Sequence, residues 1–304
     1  WHDHHHGSGI WSRPEKKVLI RTARALQAQG QVSLSRSCRC FGLSRQSVYQ
    51  LLQRRRQHQE HLAPLYDCVM RLRRRMPRLG TRKLYHLLQD DLHRLGIRIG
   101  RDRLFDWLRE HRLLIRPRKN YTRTTFSKHW MRKYPNLLAG HKPSRPEQVF
   151  VSDITYVESD EGVHYLSLVT DAFSRKIMGH MLSHSMVASE VVKAMKQAIG
   201  NRITSGPLIH HSDRGLQYCS GCYQDVLRKH QITPSMTDGY DCYQNALAER
   251  VNGILKQEFL LHRCKTFKDL AKLVNEAINA YNTMRPHIAL AMQTPESVHQ
   301  KASG

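Results

Sequence analysis

No apolar run in the chain approaches the roughly 18 to 20 residues that a membrane-spanning helix needs, and no charged-then-apolar signal segment opens it. A membrane-embedded or exported protein is therefore not expected, and a cytoplasmic one is. A disulfide framework is missing too. The seven cysteines, at 38, 40, 68, 219, 222, 242 and 264, are odd in number and scattered, which suits reduced thiols. Cys219 and Cys222 form a C-x-x-C, but no second pair stands at zinc-site spacing, so ordinary thiols are the plainer reading. No Ser-His or Cys-His pairing makes a case for covalent catalysis. The opening Trp1 to Gly9, a histidine cluster followed by Gly-Ser-Gly, reads as an expression remnant or unstructured end and is set aside.

Acidic residues are scarce in one half only. Residues 1–150 hold 33 Lys and Arg against 10 Asp and Glu, a net of +23, whereas residues 151–304 hold 16 against 15, a net of +1. Nearly all of the formal +24 thus lies ahead of residue 151. A field so concentrated favours a polyanion such as nucleic acid, although a merely soluble basic surface also carries charge of this kind.

With 304 residues, 40% of them hydrophobic, the chain is long enough for two or three domains with their own cores. Residues 11–58 read as a helix-turn-helix unit broken at Phe41-Gly42-Leu43. Ser44 can cap the following helix, whose first turn presents Arg45, Gln46 and Ser47 to base edges and phosphates. An ordinary helical hairpin fits the same segment. Residues 60–118 read as a second such unit, with helices near Leu62 to Arg75, Thr81 to Leu92 and Arg101 to Leu113, and with Arg101 and Arg103 at the start of the last. Residues 119–147 read as a basic linker able to lie along a DNA backbone.

From 148 to 304 the pattern becomes mixed α/β. Three strand-like runs, Val149 to Val157, His164 to Thr170 and Lys176 to Leu182, precede a helix, a fourth strand at Leu208 to His211, and three further helices. Asp153 sits inside the first apolar run, where burying even a neutral polar group without a partner costs about 2–7 kcal/mol. Asp213 ends the fourth strand. Glu249 lies on a helix, Asn245 to Leu260, whose Leu247, Val251, Ile254, Leu255 and Glu258 fall on one side and Glu249, Asn252, Gly253 and Lys256 on the other. Two strands and a helix can bring three carboxylates to one point, and hard oxygen ligands of that kind suit magnesium in phosphoryl transfer. Any one such glutamate, alone, is more often a solvated surface residue.

At these residues the chain resembles the integrase-like transposases of bacterial insertion sequences, the insertion sequence three family. The matching residues are Asp153 in Val-Ser-Asp-Ile-Thr-Tyr, Asp213 in His-His-Ser-Asp-Arg-Gly, and Glu249 placed 36 positions after Asp213. Gly80-Thr81-Arg82-Lys83, Thr170 to Arg175, Ala248 to Gly253, and Tyr281-Asn282 followed by Arg285-Pro286-His287 also match. Phe150 stands where that family commonly has Trp, and Asp241 to Asn245 varies on its usual Asp-Asn-Ala entry to the glutamate helix.

The resemblance implies a ribonuclease-H-like integrase core, a mixed five-stranded sheet with flanking helices, preceded by all-α helix-turn-helix units. It implies a DNA transposase that binds terminal inverted repeats and performs strand cleavage and strand transfer without a covalent protein intermediate. Asp153, Asp213 and Glu249 would be both the catalytic triad and the ligands of two Mg2+ ions, with Mn2+ able to substitute and Asp153 bridging. Lys256 would contact DNA near the cut phosphate, and Arg82 and Lys83 join Arg45, Gln46, Ser47, Arg101 and Arg103 as candidate DNA contacts. Asp171 belongs to a turn rather than to the triad. Pairing two element ends implies a dimer or higher assembly on element and target DNA, in the bacterial nucleoid, and an upstream-frame protein of the same element is a candidate partner. A non-catalytic helix-turn-helix regulator and a nuclease on RNA–DNA hybrids are the rival readings; three retained carboxylates count against the first, and two basic helical units against the second.

Overall fold

The computed structural model describes residues 13–115, 130–138, 140, 142–238 and 245–301. Much of the stretch read as a linker, and residues 241–244 before the Glu249 helix, lie outside the described residues. The chain divides into two units, Trp1–Cys68 with His93–Ile97, and Val69–Leu92 with Arg98–Gly304.

The first unit is helical. It contains α1 (Arg13–Ala28), α2 (Leu34–Cys40) and most of α3 (Arg45–Arg75) around a core of Ile20, Ala23, Leu34, Cys38 and Val48. Ser33 caps α2 by accepting from the Arg36 amide, and Ser44 caps α3 by accepting from the Ser47 amide at 3.1 Å. Gly42 takes φ +61° in the turn between them, a left-handed conformation that glycine adopts without steric cost. The boundary expected between 58 and 60 falls inside α3, which runs unbroken for 31 residues. Its physical reason is local: residues 53–62 contain no glycine and are mainly Gln, Arg, Glu and Leu, which lose little rotamer freedom in a helix, and Pro64 is carried within the run.

In the second unit α4 (Thr81–Leu87), α5 (Gln89–Arg94, its last two residues counted with the first unit) and α6 (Arg101–Glu110) precede the sheet. Leu84, Leu88, Leu104, Trp107 and Leu108 are buried at helical spacing. Five strands follow: β1 (Val149–Ser159), β2 (Gly162–Asp171), β3 (Ile177–Ser183), β4 (Leu208–Ser212) and β5 (Ile232–Met236), in the order β3-β2-β1-β4-β5. The first three form an antiparallel meander, and β4 and β5 add in parallel, so β1 is central. The helices are α7 (Ala188–Gly200), α8 (Leu216–Cys219), α9 (Gly221–Lys229), α10 (Ala246–Ile254) extended by a π-helical turn at Leu255–Phe259, α11 (Phe267–Thr283) and α12 (Pro295–Lys301). This is the mixed five-stranded sheet with flanking helices expected of an integrase core. Among the described residues no helix is long and apolar enough to cross a membrane.

One sheet face carries Phe150, Val169, Met178, Val191, Met195, Leu208, Tyr218 and Leu227 in a single core cluster. Gly179 sets the approach of α7 to β3: a Cβ there would stand 2.1 Å from the Ala194 carbonyl oxygen and 2.7 Å from the Ala198 amide. Both atoms are backbone and cannot rotate away. Gly179→Ala is expected to cost about 1–3 kcal/mol as overpacking, read as a lower denaturation midpoint with an unchanged slope.

Candidate active site

The strand alternation of β1 puts Asp153 opposite Leu168 of β2, in the middle of the sheet. Asp213 follows the last residue of β4, the neighbour of β1 on its other side, and its Oδ1 accepts from the Gly215 amide at 2.9 Å. Glu249 lies in the first turn of α10 and is exposed. The three feel one another. Burial, then Asp213, pushes the Asp153 carboxyl up to about 7, with Glu249 adding in the same direction and the Asn252 side chain and Ile154 amide opposing. Burial, then Asp213, also raises Glu249.

A helix stripe laid along a strand organises the site. Asn245, Glu249, Asn252 and Lys256 recur at steps of four, three and four, which keeps them on one face. Asn245 Nδ2 donates to the Ser152 carbonyl at 3.1 Å, Asn252 Nδ2 donates to Asp153 Oδ2 at 2.8 Å, and Lys256 Nζ donates to Thr155 Oγ1 at 3.2 Å. The stripe therefore follows β1 from Ser152 to Thr155 and carries Glu249 between its first two anchors. The expected face of Glu249, Asn252 and Lys256 is the one observed, and the anchoring by Asn245 and Asn252 is additional to it. Both amides are buried in the fold, and buried amides need partners, a demand the sequence alone does not show.

Asn252 holds one oxygen of Asp153 and so fixes where the other points. Outer partners of that kind typically cost about 10–100-fold when removed. Asn252→Ala is expected to lower strand chemistry by that factor with DNA affinity retained, and an unchanged rate would show that Asp153 is oriented by something else.

Beneath the site, His210 Nε2 lies 2.8 Å from Ser152 Oγ and 3.0 Å from the Tyr223 hydroxyl, and burial followed by His211 pushes its pKa down to about 3. A neutral imidazole clamped by two hydroxyls supports β1 and β4 and is no base. Asp171 is likewise absorbed by structure: its Oδ1 accepts from the Glu147 amide at 2.7 Å and its Oδ2 from the Ser174 amide and hydroxyl, each at 2.7 Å.

The other candidate positions separate. Arg45, Gln46 and Ser47 are exposed in the first turn of α3. Arg82, Arg101 and Arg103 line one open concavity of about 500 Å³ with Tyr85, His86, Gln89 and Met292, although Arg101 also meets Asp102 at 2.8 Å and Arg103 meets Glu110 at 3.7 Å. Lys83 turns away from that group. Its ammonium stands 3.7 Å from Glu258, only 16% exposed, and burial lowers its pKa.

Hard carboxylate oxygens, two of them with pKa values raised by neighbouring carboxylates, are a donor set a divalent cation relieves, and in this respect Asp153, Asp213 and Glu249 fit magnesium. Among the described residues no three His, Cys, Asp or Glu side chains stand close enough together to hold an ion. Glu249, exposed and with three side-chain torsions, is the one free to move.

Residues 143–242 match the integrase core domain, and residues 230–295 match a second integrase core domain family. The chain is 33% identical over 269 residues to the insertion element IS600 uncharacterized 31 kDa protein of Shigella sonnei, covering 87% of this chain and 97% of that one. It is 28% identical over 282 residues to transposase InsF for insertion sequence IS3A of Escherichia coli K12, covering 90% and 96%. A putative transposase for insertion sequence element IS986/IS6110 of Mycobacterium tuberculosis is 40% identical over 123 residues, 39% of this chain and 44% of that one. Among solved structures, the HTLV-2 integrase catalytic core domain in complex with magnesium is 21% identical at a TM-score of 0.43, covering 52% of this chain and 99% of that one.

Proposed function

The chain belongs to the insertion sequence three family of transposases and carries an integrase core, and on that premise we propose that it binds the terminal inverted repeats of its own element, cleaves a strand there and joins the freed 3′ end to target DNA. The observation that carries this reading is the α10 stripe, which sets Glu249, Asn252 and Lys256 along β1 beside Asp153. Asp153, Asp213 and Glu249 would hold two magnesium ions, with manganese able to replace them. Bound there, the metal supplies charge that activates an attacking oxygen and stabilises the leaving one.

The chain's own groups do the positioning. The Asn252 amide and the Gly215 amide each hold one oxygen of an aspartate, so neither carboxylate is free to rotate. Lys256 brings an ammonium to the same face, where a DNA phosphate would be drawn toward Asp153. Burial lowers its pKa, with Glu158 and Asp153 acting the other way. Arg45, Gln46 and Ser47 present donors and acceptors to a DNA groove as the second helix of a helix-turn-helix does. Arg82, Arg101 and Arg103 offer a second basic surface, and Lys83 serves the protein's own packing instead. On this reading residues 11–118 bind the ends through units that share α3, 119–147 serve as a basic connector and 148–304 as the catalytic part. Two paired ends call for a dimer or higher assembly on DNA in the bacterial nucleoid, with an upstream-frame protein of the element as a candidate partner.

The test is incubation with magnesium and labelled duplexes carrying the element's own ends, with cleaved and joined strands resolved. Joined products support the proposal. Binding without cleavage or joining points to a DNA-binding regulator.

A further inference from the structure

The turn between β2 and β3 does something its fold role does not require. Arg175 occupies it with φ +67°, a left-handed conformation that non-glycine residues rarely adopt. The turn is held from all sides: the Arg175 amide donates to the Asp171 carbonyl at 2.9 Å, the Tyr281 hydroxyl donates to the Arg175 carbonyl at 3.1 Å, and Asp171 and Ser174 are fully buried and bonded to each other. A glycine would adopt that backbone at lower steric cost, so the arginine adds nothing to the turn itself beyond its side chain.

That side chain lines an open surface concavity of about 490 Å³ with Ala246, Leu247, Glu249 and Arg250, the first turn of α10. Its Nε is buried with no hydrogen-bond partner among the described residues. Burial lowers its pKa; Arg250 acts in the same direction, against Tyr281 and Asp171. Lys83 and Arg285, which also contribute positive charge here, are matched by Glu258, whereas among the described residues no carboxylate pairs with Arg175 or Arg250. Two forked donors, one with a buried N–H left over, beside the amides of a helix start, ask for an anion with several oxygens.

We propose that Arg175 and Arg250 form a seat for a backbone phosphate of DNA next to the phosphate undergoing reaction at Asp153, Asp213 and Glu249. This rests on the transposase reading, and Glu249, which borders the concavity, is what places the seat beside the carboxylate site. The seat takes a phosphodiester from either the element end or the target strand.

The experiment uses the full chain, labelled end duplexes and a target duplex, with Arg175→Gln, Arg250→Gln and Arg175→Lys beside Glu249→Gln. Arg250 is exposed on α10, so its variant keeps the fold if Arg175→Gln does not. Loss of charge-assisted hydrogen bonds is expected to lower joining about 10–100-fold, and the slope of log affinity against log salt should fall by about 0.9 for each phosphate that the variant no longer neutralises. Arg175→Lys should restore the salt slope but not full joining, because an ammonium cannot fork. Neutral methylphosphonates placed singly along each strand should reveal one linkage whose neutralisation impairs the wild type and adds nothing in Arg250→Gln. Its position in the end or in the target identifies the source. Wild-type joining, salt slope and methylphosphonate profile in the arginine variants, with Glu249→Gln inactive, would overturn the seat alone. An active Glu249→Gln would instead remove the transposase reading.

Discussion

Glu249→Gln is expected to bind element ends as the wild type does and to lose cleavage and joining by about 10³-fold or more. The side chain is exposed in the first turn of α10, and Gln has its shape, so neither the helix nor its anchors to Ser152, Asp153 and Thr155 should move. What changes is one negative charge. A metal's contribution to transition-state charge is several kcal/mol, and losing about 4 kcal/mol of it corresponds to about 10³-fold at 1.36 kcal/mol per decade. The variant also relieves repulsion, because Glu249 and Asp213 raise the Asp153 pKa together. Tighter protein with dead chemistry is therefore the specific signature: a slightly higher melting temperature beside absent products. Products at wild-type yield would show that Glu249 is only a surface residue on a suggestive helix.

The three candidate carboxylates are legible in the chain because each stands against its local pattern: Asp153 inside an apolar run, Asp213 at a strand's end, Glu249 opposite the packing stripe of its helix. Their partners are not, because those depend on how α10 lies on β1. No spacing within α10 says that Asn252 meets Asp153 rather than solvent; that bond joins positions 99 residues apart. The same holds for Lys83. Its sequence neighbours suggest a DNA contact, and only Glu258, brought in by the far end of the α10 helix, turns it inward. β5 is hidden for a different reason: Ile-Thr-Pro-Ser-Met carries Pro234, which argues against a strand, and it is tolerated because β5 is the sheet's edge. The full length of α3 is masked by charge runs that resemble a change of unit, although Gln, Arg and Glu propagate a helix well.

The largest stability effect is expected at Arg285. Glu258 sits on the inward stripe of the α10 helix, where a carboxylate demands a cation, and Arg285 supplies it 27 residues later with two forked bonds, Nε to Oε2 at 2.7 Å and Nη2 to Oε1 at 2.6 Å. The Arg285 side chain is 3% exposed. Its Nη1 faces His287 Nε2 at 3.1 Å, and burial followed by Arg285 pushes that imidazole down to about 3, so it is neutral and accepts. Arg285→Met leaves Glu258 with Lys83, at 3.7 Å, as its remaining cation among the described residues. Breaking a buried pair from one side costs about 3–5 kcal/mol, and at about 2–4 °C per kcal/mol for a unit of this size the melting temperature should fall by roughly 6–20 °C. Replacing both ends separates the pair from the packing. Arg285→Met with Glu258→Met removes the stranded charge and should recover most of the loss, since well-packed apolar side chains often replace a buried pair at little cost. A double variant no more stable than the single would locate the cost in the packing of the Arg285 stem against Tyr281 and His287. A single variant that melts within a degree or two of the wild type would mean that water already screens the pair.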